Sequence, residues 1–559
     1  MTSDADRAFA GYAAATLDGL LEREPEWATS VGDHRHDDRL TVGTAAYYQE
    51  ASRWAGERLA GLAGIDAGRL SPQYQVDAQI LANQLTRLVF MIDELREHEW
   101  NPMVANPGRA IYNLLARDFA PLADRLRCAA RRLAMLPESL AAARAVLGAM
   151  PEIHIETALT QFAGTERLLT GELTRRAAEV EGAEVELSAV LPQALEALAE
   201  HARWLEERLA DGRRDGFRDP RLDADLFARK LRLVLDTELP VEQILARAEA
   251  DLARMTEELT VAAAELIGSE GGPARDNADV VRAALDSLAA DAPDDTTILG
   301  FVRAAYGAQR DFVTAHDLVT VFDDPLEVIP MPEIDRGVAV AYCDSPGPLE
   351  TAALPTFIAV SPTPEGWTQE RVRSFYREYN RHMVHNIMVH EAMPGHYLQL
   401  QHSRRFAGSR TAIRAALRSG SFVEGWAVYA ERIMAEQGYP GDGDPRAVRM
   451  QQLKMQLRTI INAILDARIH GHGMTEVEAL ALMTERGHQE EGEAAGKWRR
   501  ALLTSAQLST YYVGYTEVSD LSGDLRAADP GLADRAVHDR MLAHGSPPAR
   551  LLRTLVLAG

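Results

Sequence analysis

This sequence predicts a mainly helical protein with one small β-sheet, on three observations. Apolar residues recur three and four apart through most of the chain, as on one face of an α-helix. β-type runs are confined to one proline-rich region, residues 322–367. No apolar, uncharged stretch reaches the roughly 18–20 residues of a membrane span, so none is expected.

The elements follow in order. Residues 123–148 carry the helical period, as do 181–210 (EGAEVELSAVLPQALEALAEHARWLEERLA), 241–267 and 446–470. Pro137-Glu138 after Leu136, and Leu239-Pro240-Val241-Glu242, read as first helical turns. Gly268–Asp276 (GSEGGPARD) reads as a loop. Val338–Tyr342 and Thr356–Val360 read as strands of a small sheet near the active site. Thr356–Val360 is expected either to pair with an extended peptide as an edge strand or simply to pack in the sheet. Helix resumes at about 368, with Thr368 as cap and Glu370 in the first turn. No repeat or linker interrupts the chain. The expected architecture is one domain, 1–559: a large helical body with a central cleft, a helical N-terminal lobe over 1–321 and a catalytic lobe over 322–559.

Composition narrows the function classes. The chain has 559 residues, 46% hydrophobic and 25% charged, as in an ordinary globular enzyme. Asp plus Glu number 83 against 59 Lys plus Arg, a net charge of -24, which repels phosphate backbones and anionic lipid. No nucleic-acid or membrane partner is expected, and a homodimer is allowed. Cys128 and Cys343 are too few for a disulfide framework or a four-cysteine metal site. The N-terminus, MTSDADRAFAGYAAATLDGLL, lacks the basic-then-apolar layout of a signal peptide, so a cytoplasmic location is expected.

The chemistry sits in NIMVHEAMPGHYLQLQH, Asn386 to His402. His390 and His396 can bind a metal as neutral imidazoles. Glu391, beside the first, suits a base that takes a proton from water at the metal. The histidines are six apart, which on an ideal helix leaves them roughly 120° apart. Pro394 cannot donate to the His390 carbonyl and Gly395 accepts unusual dihedrals, so a bulge there is expected to restore a common face. Downstream, in SGSFVEGWAVYAERIMAEQG, Glu424 and Glu431 are seven apart and share a largely apolar helix face. A carboxylate there needs a partner: a metal, or a buried Arg. Glu424 is the expected third ligand and Glu431 the carboxylate behind a ligand imidazole, with the reverse assignment open. Mixed imidazole and carboxylate ligands suit Zn2+.

HEAMPGH with EGWAVYAE resembles the domain-of-unknown-function 885 family of gluzincin-like proteins. Further blocks extend the resemblance over nearly the whole chain: EPEWATSVGDHRHDDRL, WNPMVANPGRAIYNLLARDFAP, RRLAMLPESLAAA, LDARIHGHGMT and VHDRMLAHGSPPARLL. The resemblance implies an almost all-α fold with a cleft, similar to angiotensin-converting enzyme, neurolysin and the thermostable carboxypeptidases, and it implies zinc and peptidase-like activity. It carries further residues over by position. Asp466 and His470 match a D-x-x-x-H pattern, implying that His470 donates to substrate with Asp466 orienting it; the alternative is a surface ion pair. RRALLTSAQLSTYYVG matches at Arg500, Gln507, Tyr511 and Gly514. Tyr511 is implied to stabilise an oxyanion, with Tyr512 as substitute. Gln507 is implied to line the substrate site, and Arg500 to hold a substrate carboxylate or a structural salt bridge. The sequence departs at Ala501, in place of an aromatic, and at Ser505-Ala506, in place of Pro-Gly.

The expected activity is therefore zinc-dependent hydrolysis of peptide or peptide-like amide bonds, in short peptides. The alternatives are a zinc enzyme acting on a small specialised metabolite or acylated amino acid, and a non-enzymatic helical binding protein with a relict metal site.

Overall fold

The computed structural model describes residues 3–268, 277–332, 340–364 and 366–557. Helix dominates it, with one three-stranded sheet, as the periodicity predicts. The chain divides into two units. One holds residues 1–221 plus two later excursions, Pro346–Leu354 and Ser409–Leu417. The other holds Leu222–Ser345, Pro355–Gly408 and Arg418–Gly559.

In the first unit the Leu122–Val146 helix lies along the Ala183–Asp215 helix and buries Leu133, Leu140, Leu198 and Leu205. Pro137 falls inside the first of these helices and does not start it. The apolar period continues on both sides of the proline, and packing outweighs the one hydrogen bond it removes. The excursion at 409–417 is tied in by Arg414, whose Nε donates to Asp77 Oδ1 at 2.6 Å with both side chains buried.

In the second unit the Ala224–Leu235 and Val241–Ile267 helices pack on the Pro445–His472 helix, most of whose side chains are buried. Ile298–Ala315 packs on the Arg381–Glu391 helix. For this reason the chain divides after Arg221 and not at the expected 321/322 boundary. The segments from 222 to 321 bury their apolar faces against the motif-bearing helices. Gly268, with φ of 66°, caps the 241–267 helix in the left-handed region. The rest of the expected 268–276 loop lies outside the described residues.

The sheet has strands β1 (Leu326–Pro330), β2 (Ala341–Asp344) and β3 (Thr356–Val360), in the order β1-β3-β2. β3 runs parallel to β1, with Val328 opposite Ile358, and antiparallel to β2, with Cys343 opposite Ile358. The Thr356–Val360 run is thus the central strand, and its expected role as an edge does not hold: β1 and β2 occupy both of its sides. The expected Val338–Tyr342 strand begins later, at Ala341, and its first two residues lie outside the described residues. β1 was not anticipated, because its run is short and ends in Pro330.

Thr368 caps the Gln369–Glu378 helix through a 3.3 Å bond from the Arg371 N–H. A second cap, Asn380, accepts from Met383 N at 3.2 Å and opens the Arg381–Glu391 helix. Among the described residues no helix is long and apolar enough to cross a membrane.

Candidate metal centre

The Arg381–Glu391 helix is buried along most of its length and ends at Glu391. Ala392 and Met393 both turn their N–H groups to the Met388 carbonyl, at 2.9 and 3.2 Å. Pro394 has no N–H to continue the ladder. Gly395 donates six residues back, to Val389 O at 2.9 Å. A Cβ on Gly395 would lie 1.9 Å from the His390 carbonyl oxygen, so only glycine fits. The Trp426 indole N–H holds the Pro394 carbonyl at 2.8 Å. A new helix, His396–Arg404, then starts. The expected bulge within one helix is thus a break between two. Its effect is the expected one: the His390 and His396 rings come to 4.7 Å between centroids, at 85° to each other.

Glu424 reaches the same point from the Gly420–Glu436 helix, which Ser419 caps. Its Oε2 lies 3.4 Å from His390 Nε2 and 3.5 Å from His396 Nε2. One ligand atom from each of the three residues lies within 4.8 Å of the others. A tetrahedral ion with 2.0–2.1 Å bonds separates its ligand atoms by about 3.4 Å. These distances are long for hydrogen bonds and fit a shared cation. Glu424 Oε2 and His396 Nδ1 are buried without a hydrogen-bond partner among the described residues. Burial works against a charge on Glu424, yet His396 and His390 hold its carboxyl well below the usual range.

Glu431 stands behind His390. Its Oε1 meets His390 Nδ1 at 2.7 Å and its Oε2 accepts from Asn386 Nδ2 at 2.6 Å. This separates the two carboxylates that spacing left interchangeable: Glu424 faces both Nε2 atoms and Glu431 fixes one ring from the far side. Glu391 accepts from the Cys343 N–H of β2 at 2.8 Å. Burial pushes the Glu391 carboxyl above its ordinary value, with His390 and His396 pulling the other way.

The family model for a bacterial protein of unknown function, DUF885, matches residues 25–556. The chain belongs to this family. Among solved structures, a candidate lipoprotein of unknown function from Shewanella oneidensis is 29% identical. It aligns at a TM-score of 0.84 over 98% of this chain and 99% of that one. A candidate lipoprotein from Colwellia psychrerythraea, 16% identical, shares the fold at a TM-score of 0.79 over 99% of both chains. A carboxypeptidase from Deinococcus radiodurans aligns at 0.37 and 12% identity over 98% of this chain and 95% of that one, too distant to carry an argument. Among curated proteins none matches. The expected cytoplasmic location does not stand. The Shewanella oneidensis and Colwellia psychrerythraea proteins are described as lipoproteins, a description that speaks against that expectation.

The residues that the family pattern added fare differently. His470 is buried with both ring nitrogens engaged by backbone. Nδ1 accepts from Leu222 N at 3.2 Å, and Nε2 faces Ala501 O and Thr504 O at 3.2 and 3.0 Å. Its expected catalytic role is corrected, since no nitrogen remains to reach a substrate. Asp466 does not orient it; the nearest approach is 3.9 Å. Asp466 instead accepts from Ala506 N, Ser509 N and Ser509 Oγ at 3.1, 2.9 and 2.8 Å, and so anchors that loop. Neither residue is the surface ion pair of the alternative reading, as both are buried. Tyr512 is buried and donates to Asp251 at 2.7 Å, so it cannot substitute for Tyr511.

Arg500, Gln507 and Tyr511 meet one another. Arg500 Nη2 donates to Gln507 Oε1 at 2.8 Å and to the Tyr511 hydroxyl at 3.3 Å, and Gln507 Nε2 lies 3.4 Å from that hydroxyl. Tyr511 stands three residues before Gly514, whose absent Cβ would lie 1.9 Å from Ser421 O. A Cβ on Gly425, next to Glu424, would lie 2.2 Å from the Gly514 carbonyl carbon. Ala506 keeps a left-handed backbone, φ 65°, at the position where the family pattern has glycine.

Three contributors lie outside the set of site residues expected from sequence. Asn386 is four residues before His390, on one face of one helix, and this spacing could have marked it. Trp426 lies inside the EGWAVYAE string. Cys343 acts through its backbone N–H, for which a sequence carries no signal.

Proposed function

We propose that this protein is a zinc-dependent hydrolase of peptide or peptide-like amide bonds in short substrates, acting outside the cytoplasm. The observation that carries the reading is the convergence of His390 Nε2, His396 Nε2 and Glu424 Oε2, with the Glu391 carboxyl beside them. His390, His396 and Glu424 would hold the ion. A zinc ion there would acidify a water and polarise the scissile carbonyl. Glu431 and Asn386 keep the His390 ring in place. Glu391 takes the proton from the attacking water and returns it to the departing nitrogen. The Tyr511 hydroxyl, steadied by Arg500 and Gln507, donates to the developing oxyanion.

The test is metal analysis of the purified protein followed by digestion of a short-peptide library. Zinc in equimolar amount and cleavage of some members are expected. Glu391→Gln should keep the metal and lose about 10²–10⁴-fold in rate. Wild-type turnover by that variant, or a wild-type protein that holds no metal, would sink the proposal.

A further inference from the structure

The first unit holds a cavity of about 530 Å³, the size of a small-molecule site. The Asp4–Arg23, Pro25–Val31, Ala45–Ala63 and Leu122–Val146 helices all contribute to its wall. Leu20, Leu40, Leu88, Ile92 and Leu147 make much of that wall apolar. Trp27, Tyr47, Tyr48 and His98 add an aromatic stretch. Tyr48 stacks on His98 with 3.8 Å between centroids, and Tyr47 meets Tyr48 edge-on at 5.2 Å.

One acid in this wall stands apart. Glu24 joins two helices: its N–H closes the first on Leu20 O at 3.0 Å, and its carbonyl accepts the Ala28 N–H at 2.9 Å. Pro25 opens the second helix, where its missing N–H costs nothing. The Glu24 side chain makes no cap, and no hydrogen bond or ion pair reaches its carboxyl among the described residues. Burial pushes that carboxyl above its ordinary value, while Arg87 attracts it through space. The other charged groups of the wall are engaged. Arg23 donates to Glu50 Oε1 at 2.8 Å and to Gly19 O at 3.1 Å. Glu26 accepts from Thr41 N and Thr41 Oγ1 at 2.6 and 2.7 Å. Arg109 lies over the Tyr112 ring at 5.5 Å, and burial holds His98 below its ordinary value.

We propose that this cavity binds an organic amine, with its ammonium group on the Glu24 carboxylate and its apolar or aromatic body against the surrounding wall. A half-buried carboxylate without a bonded partner is costly, and a cation relieves that cost. Aromatic faces attract the same cation, and the apolar wall suits a hydrocarbon body. An anion would meet Glu24 as a like charge. The inference stands on the first unit alone and does not depend on the hydrolase reading.

The test is calorimetric titration of the full-length protein with three probes of one shape: phenethylammonium, the neutral phenethyl alcohol and the anionic hydrocinnamate. Physiological ionic strength screens general attraction to the acidic surface. The amine should bind saturably, one per chain. The alcohol should bind about 10- to 100-fold more weakly, the worth of a hydrogen bond to a charged group, and the acid not at all. Glu24→Gln should lower the amine to the level of the alcohol, and Glu24→Asp should keep the preference for the amine. In the wild type the amine should slow amide hydrogen exchange over residues 20–31 and 45–51, which flank the cavity. Amine binding that survives Glu24→Gln unchanged, an amine no tighter than the alcohol, or no saturable binding at millimolar concentration would overturn the proposal. If Glu24→Gln does not fold, the three probes and the exchange map on the wild type decide, and protection confined to other residues overturns it.

Discussion

His390 and His470 both sit near the C-terminal end of a helix, each with a carboxylate nearby, but their ring nitrogens are used differently. On His470 both nitrogens face backbone, and Asp466 is occupied by three donors of its own. On His390 one nitrogen is held by Glu431 while the other turns toward Glu424, whose Oε2 has no hydrogen-bond partner among the described residues. A buried polar group with every valence met is scaffolding. One whose spare valence converges with others is a place for a cation. His201 completes the contrast: both its nitrogens are buried without partners among the described residues, but its ring neighbours are Phe162 and Trp204, so it marks no site.

The sharpest break of this comparison is metal binding. Glu424→Ala should abolish stoichiometric zinc, measured after dialysis, while His470→Asn should leave it intact. Zinc retained by the first variant, or lost by the second in folded protein, would erase the distinction. Glu431→Gln should weaken zinc by about 10- to 100-fold, the usual cost of losing a partner behind a ligand imidazole.

The next effect is on stability, and it follows pH. Burial, with Arg144 assisting, pushes His201 down to about 4, against about 6.5 in an unfolded chain. Between these values the unfolded state binds the extra proton, so stability is full above pH 6.5 and falls as pH drops toward 4. The loss is about 3 kcal/mol. His201→Leu should flatten that window in denaturant titrations at pH 4–7; an unchanged slope would mean the ring is not buried neutral. Asp466→Asn should cost about 1–3 kcal/mol by placing an amide NH2 against one of the two backbone N–H groups that Asp466 accepts from. It should leave zinc stoichiometry alone. The smallest effect is Ala506→Gly, expected to stabilise by about 1 kcal/mol by relieving a left-handed alanine, read as a rise in Tm.

What the sequence made legible followed from local rules. Apolar period gave the Val241–Ile267 helix to the residue and the Thr356–Val360 strand as well. Pro394-Gly395 announced a backbone that two histidines six apart require. Local rules failed wherever partners came from afar. Seven-residue spacing put Glu424 and Glu431 on one face without saying which imidazole nitrogen each would meet. The four-residue spacing of Asp466 and His470 suggested a pair, because nothing local reveals Leu222 or the 501–509 segment that satisfy them instead. The order of the sheet, and so which strand is central, is likewise a matter of tertiary pairing.

The excursions that complete the first unit bear on how the molecule can be dissected. A fragment stopped after Arg221 would lack the Arg414 guanidinium that pairs with Asp77 in the interior of the whole chain. Breaking a buried pair in this way costs about 3–5 kcal/mol, a large share of what a domain has to lose. Protease nicking or split expression at 221 should therefore give a soluble half only if the 409–417 peptide is supplied with it.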